Sequence, residues 1–219
     1  MTRLQDITVS APRSYRRHRE FNGRTHCVCA MYSRELGPFQ TDGIGKVIIQ
    51  ACEQTEPFFE DLVDVYGISL SFDYKGFWNS SNDEQKHAIL SFLHEGLSAI
   101  GKRLGWDCEA IDKAFHKLQS TNLDGIFDWG RIVSSPNRKM KAQVRYYYGF
   151  ETVRIFARVW KKGCEDLVSE YLLAETEAHE WYFVPLLGKL RWANNAKLIL
   201  HPRSHERYGE RSPIEIEIE

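Results

Sequence analysis

Glu60, Asp61 and Asp64, followed by Asp73-Tyr74-Lys75, form the pattern in this chain that comes nearest to spelling out a reaction. Clustered carboxylates hold Mg²⁺, and a lysine beside them stabilises an attacking water or a phosphate. With one carboxylate beside Asp73, the trio Asp64, Asp73 and Lys75 would suit metal-assisted phosphodiester cleavage. Other patterns fall short sooner. His94-Glu95-Gly96-Leu97-Ser98 has a serine where the second histidine of a zinc-protease helix must stand. Cys27 and Cys29, with Cys52 on a neighbouring strand, lack the second spaced pair of a structural zinc site and are expected to be buried, reduced thiols. His201 and His205 are four apart, but Pro202 keeps them off one helix face. Gly43-Ile44-Gly45-Lys46 runs into Val47-Ile48-Ile49 rather than a helix and lacks the final Ser or Thr, so it reads as a turn. No metal and no cofactor is expected.

The acid and acid-x-lysine spacing resembles, loosely, that of restriction-type nucleases, and a metal-dependent nuclease or a nucleic-acid-binding module is carried as the alternative reading. The stronger signal is a hairpin. If Gly149-Phe150 is a two-residue turn, Tyr148 faces Glu151, and Tyr146, Val144, Ala142 and Met140 pair with Val153, Ile155, Ala157 and Val159 on a continuous apolar face. The opposite face then carries Lys141, Arg145, Tyr147, Arg154, Phe156, Arg158 and Trp160, with Arg145 facing Arg154 and Lys141 facing Arg158. Opposed cations destabilise a sheet and ask for an anionic neighbour. Acids of the same chain, among Glu165, Asp166, Glu170, Glu175 and Glu177, would supply it internally, and the arginines would then be structural. Arginine interleaved with rings is also the composition of a contact surface. The seven residues are therefore the candidate partner-binding set.

The elements that must position these groups can be read from periodicity. An alternating strand is expected from His26 through Met31 and another at Val47 to Ala51. Phe58 to Val65 reads as a short helix after Thr55 and Pro57, and Ile68, Leu70 and Phe72 read as a strand. Ser81-Asn82-Asp83-Glu84 is a capping box, Ile89, Leu93, Leu97, Ile100 and Leu104 form a helical stripe, and Gly105 ends it. Asp107 caps a second helix carrying Ile111, Phe115 and Leu118, giving a helical hairpin. Beyond Gly125 aromatic and β-branched residues alternate with turn signals, which predicts sheet. Leu167 to Ala174 leans to helix, and Ile214 to Glu219 alternates as a strand.

The fold class expected is α+β: a largely antiparallel, aromatic-rich sheet in the C-terminal half with the central helical hairpin packed on it. Residues 1–24 hold six arginines against Asp6 and Glu20 and read as a basic, mobile arm, leaving 25–219 as a single domain. The 219 residues carry a net charge of −1, which provides no overall field for nucleic acid or an anionic membrane. No run is long and apolar enough for a membrane span and no signal-peptide region opens the sequence, so a cytoplasmic protein is expected. Residues 138–162 hold eight basic side chains and one acid, while 165–180 hold six acids and neither Lys nor Arg, so complementary fields are available to steer a partner. The functional expectation is a non-catalytic protein that binds another protein, in the manner of an immunity protein or inhibitor. The sequence sets neither the partner nor the oligomeric state.

Overall fold

The computed structural model describes residues 2–164, 166–203 and 211–218, and the chain divides into two compact units, Met1–Gly125 and Ile126–Glu219. The sequence reading expects one domain over 25–219; the boundary segment, Thr121 to Gly125, is too short to read as a linker. His205 and Glu165 lie outside the described residues. Each unit carries its own sheet, so the architecture is α+β, with antiparallel sheets in the C-terminal half.

In the first unit, β1 (Thr2–Arg3) pairs with β3 (Gln40–Thr41). The main sheet has β2 (Asp6–Ser10), β4 (Lys46–Cys52) and β6 (Val65–Ser71) parallel and adjacent, with β5 (Phe58–Leu62) antiparallel on the far edge. Alternation explains the strands: Val9, Val47, Ile49 and Ala51 are fully buried on one face, with Ile7, Tyr66, Ile68 and Leu70 beside them. Residues 6–10 of the basic N-terminal stretch are thus an edge strand. Its isoleucine and valine dock in the core although arginines dominate residues 13–24, and the Thr25 hydroxyl donates to the Val9 carbonyl at 2.7 Å.

Helix α1 (His18–Leu36) replaces the strand expected from His26. It buries Phe21, Thr25, Cys27, Val28, Cys29, Met31 and Tyr32, and a helix buried over so wide an arc hides its 3.6-residue period behind a local alternation. Burial pushes the thiols of Cys27 and Cys29 up to about 12, so both behave as small hydrophobes. The helix expected at Phe58 to Val65 is instead the hairpin of β5 and β6, turned by Val63-Asp64 with Asp64 at φ 64°.

Helix α2 (Tyr74–Asn79) precedes α3 (Asn82–Leu104), which starts with the capping box expected of Ser81 and Glu84 and stops at left-handed Gly105. Helix α4 (Cys108–Gln119) is capped by Asp107, whose carboxylate accepts from the Ala110 N–H. Both α3 and α4 belong to the first unit, where α3 rests on β4 at Gly96; a Cβ there would lie 2.7 Å from Ile49 side-chain atoms. No helix among the described residues is long and apolar enough to cross a membrane.

In the second unit, β7 (Ile126–Ser134), β8 (Met140–Tyr148), β9 (Thr152–Lys161) and β10 (Leu167–Glu177) form an antiparallel sheet in the order β10-β9-β8-β7. Residues 167–174 are therefore strand, not helix. Register shifts at Leu167/Ser169 and Leu172/Ala174 break the alternation there, and two bulges in eleven residues imitate a helical spacing. After α5 (Glu180–Phe183) a second sheet of β11 (Lys189–Asn194), β12 (Lys197–His201) and β13 (Ile214–Glu217) covers the apolar face of the first. The C-terminal alternation is the strand expected of it.

Two consequences are measurable. Gly96→Ala forces Ile49 aside in a close-packed contact and should lower stability by about 1–3 kcal/mol in urea unfolding, with Gly96→Ala/Ile49→Val recovering part of it. His94 stacks on Phe115 at 4.0 Å, and burial lowers its pKa although Asp112 lies 3.5 Å away. The unfolded chain then takes up the proton first, so this contribution is complete above about pH 6.5 and declines as pH falls below it. The melting temperature should drop between neutral and mildly acidic pH, more steeply in the wild type than in His94→Gln.

Candidate functional site

The seven candidate side chains lie on one surface, but through a different pairing from that expected. Tyr148 pairs with Val153, not Glu151, and the Gly149 N–H donates to the Thr152 carbonyl at 3.0 Å, so the tip is Phe150-Glu151 rather than Gly149-Phe150. Gly149 lacks the positive φ that a type II′ turn demands. Phe150 is buried in the observed turn. The slip is two residues, which preserves the faces while exchanging every partner. Ala142, Val144, Val153, Ile155, Ala157 and Val159 remain in the core.

The exchange removes both opposed cation pairs. Arg145 now faces Phe156, Arg154 faces Tyr147, Arg158 faces Gln143 and Lys141 faces Trp160. Every cation has a ring or an amide across the ladder. The Tyr147 and Phe156 rings meet edge to face at 5.3 Å, and the Arg154 guanidinium stands 5.9 Å from the Tyr147 centroid.

The flanking strands supply the acids. Asp128 on β7 faces Arg145 and accepts two hydrogen bonds from its guanidinium, at 2.7 and 2.9 Å. That hydrogen bonding holds the Arg145 pKa above its ordinary value. Arg158 stands between Asp128, at 4.0 Å, and Glu170 on β10, at 3.8 Å. The Tyr147 hydroxyl donates to Glu170 at 3.3 Å, and Glu175 lies opposite Arg154 in the register. Charges of both signs thus cross four strands in one layer, interrupted by Tyr147, Phe156 and Trp160. Leu172, opposite Phe156, is 52% exposed, and Ile126, opposite Tyr147, is 39% exposed.

Glu170 was among the acids the sequence nominated, whereas Asp128 was missed. Its signal was the alternation Phe127-Asp128-Trp129, which becomes informative only once β7 is paired with β8.

Asp64, Asp73 and Lys75 do not assemble. Asp64 sits in the turn before β6, accepting from the Gly45 N–H at 2.7 Å, and Asp73 lies past its other end. Seven residues of strand, roughly 23 Å at about 3.3 Å each, separate those ends. Asp73 caps α2 by accepting from the Gly76 N–H, and it shares with Lys75 the lining of a cleft at the carboxyl ends of the parallel strands. Among the described residues no three His, Cys, Asp or Glu side chains converge as metal ligands.

No protein-family model, curated protein sequence or solved structure matches this chain, so the geometry alone carries the functional argument.

Removing Asp128 leaves Arg145 and Arg158, about three-quarters buried, without their shared acid. Asp128→Ala should cost about 1–2 kcal/mol in urea unfolding, and Glu170→Ala, whose ionic contact is longer, less.

Proposed function

We propose that this protein is a non-catalytic binding protein of the cytoplasm, and that the outer face of β7 to β10 docks onto a partner protein. What supports this reading is the composition of the face: half-buried rings and an exposed leucine set around Arg145 and Arg158, which already have acids of their own chain. Arginine, tyrosine and tryptophan dominate the energetics of protein interfaces, and a ladder fixed by cross-strand ion pairs presents them with little entropy left to lose. An immunity-type inhibitor, which neutralises the protein it docks on, is the narrower role we assign.

The charge balance argues for protein over nucleic acid. Binding to a phosphate backbone draws on cations that can release counterions. Arg145 and Arg158 are committed to Asp128 and Glu170, and Glu175 lies opposite Arg154, so the surface offers little net positive charge.

Tagged wild-type protein should retain one specific partner from its native cell, and an enzyme retained in this way should lose activity in the complex. Arg154→Glu with Leu172→Ser should reduce capture by at least about tenfold, while the melting temperature stays within a few degrees because both side chains are exposed. The reading fails if the double variant captures the partner undiminished. It fails also if the wild type binds a labelled oligonucleotide with an affinity that falls steeply as salt rises.

A further inference from the structure

The parallel strands β2, β4 and β6 end side by side at Ser10, Cys52 and Ser71, and the segments that leave them line an open cleft of about 1100 Å³. In sheets of parallel strands the carboxyl ends are where ligands bind, because the departing loops converge there on a rigid base. One wall is the stretch from Pro12 to Arg16 leading into α1, and the other is Asp73 to Lys75 at the start of α2.

The walls are pre-formed. Tyr15 stacks on Tyr74 at 3.8 Å; the Tyr74 hydroxyl donates to the Ala51 carbonyl at 2.7 Å, and the Trp78 indole N–H donates to the Tyr15 hydroxyl at 2.7 Å. Phe72, also in the lining, is locked edge to face against Phe21, Phe77 and Phe92. Neighbouring cations are taken up by the protein: Arg17 by Glu20 at 2.6 Å and by the Trp78 ring at 3.5 Å, Arg24 by Asn82 and Gln85. Arg16 and Lys75, the two cations that line the cleft, have neither an ion pair nor a hydrogen bond among the described residues. Of the acids, Asp73 is engaged by the Gly76 N–H, and Glu53 is left as an acceptor for a hydroxyl.

Two uncommitted cations lining one cleft with fixed rings and a hydroxyl acceptor match a phosphate joined to a sugar and a flat base. We propose that the cleft binds a nucleotide, its phosphate between Arg16 and Lys75, its sugar hydroxyls toward Glu53 and its base against the rings of Tyr15 and Phe72. This site is independent of the sheet face in the second unit.

The test uses the full chain and adenosine 5′-monophosphate, with guanosine, cytidine and uridine monophosphates in parallel, read by calorimetry and by the rate at which N-ethylmaleimide modifies Cys52 in the cleft. Cys164, exposed in the second unit, is the internal reference. At least one nucleotide should bind saturably and slow modification of Cys52 but not Cys164. Arg16→Gln and Lys75→Gln should each weaken that binding by about tenfold at unchanged melting temperature, and adenosine, lacking the phosphate, should bind no better than those variants bind the nucleotide. Absence of saturable binding by all four nucleotides overturns the proposal, as does binding that leaves Cys52 unprotected. So does affinity that survives both substitutions. The footprint on wild-type protein decides the matter even if a variant folds poorly.

Discussion

Burying Ala142, Val144, Val153, Ile155, Ala157 and Val159 commits every intervening residue of β8 and β9 to the opposite surface. No local preference could return Arg145 or Arg158 to another environment without pulling an apolar neighbour out of the core. Most else in the second unit depends on this. The β11 to β13 sheet is needed to cover the apolar side, where Trp129 and Trp192 satisfy their indole N–H groups on the carbonyls of Gly188 and Val133. The polar side must find acids close by, because like charges gathered on one sheet face repel. Asp128 and Glu170 enter from the two flanking strands, so the ladder needs both β7 and β10 to be complete.

The register is what turns that constraint into a tolerable surface. With Gly149-Phe150 as the tip, arginine would oppose arginine. With Phe150-Glu151 as the tip, Phe150 is buried, and each cation meets a ring or an amide. Hydrophobic burial of one side chain at the tip and electrostatic relief along about ten residues of strand favour the same register, and agreement between levels of this kind marks a well-specified structure. The outcome is a face whose charge is settled internally and whose remaining contact potential lies in its rings and aliphatic side chains.

The legible parts of the sequence were those governed by strong local rules. Ser81 with Glu84, Asp107 and Gly105 delimit α3 and α4 because caps act within four residues. The faces of β8 and β9 were legible because alternation survives a two-residue slip. The failures have physical causes too. Cys27 to Met31 lie in a helix buried over too wide an arc to show its period, and the bulges in β10 shift its alternation toward a helical spacing. Asp6 to Ser10 were lost among arginines, because parallel pairing with β4 depends on a strand about forty residues away and leaves no local trace. The cleft was invisible for the same reason. Its lining comes from residues 12–16, 52–54 and 71–75, which meet only when the parallel strands stand in order.

The two units show what decides the role of an arginine. In the second, Arg145 and Arg158 sit in a sheet whose flanking strands bring carboxylates within reach, so their charge is met within the fold. In the first, Arg17 and Arg24 are held by Glu20, Trp78, Asn82 and Gln85, while Arg16, one residue from Arg17, lines a concavity at the strand ends beside Lys75. Adjacent residues of identical type thus separate into one that holds the helix start in place and one left to act outward. Charge composition could not draw that distinction, since residues 1–24 read as a uniformly basic stretch. It arises at the turn that starts α1, where Arg17 reaches Glu20 and Trp78 while Arg16 lines the cleft.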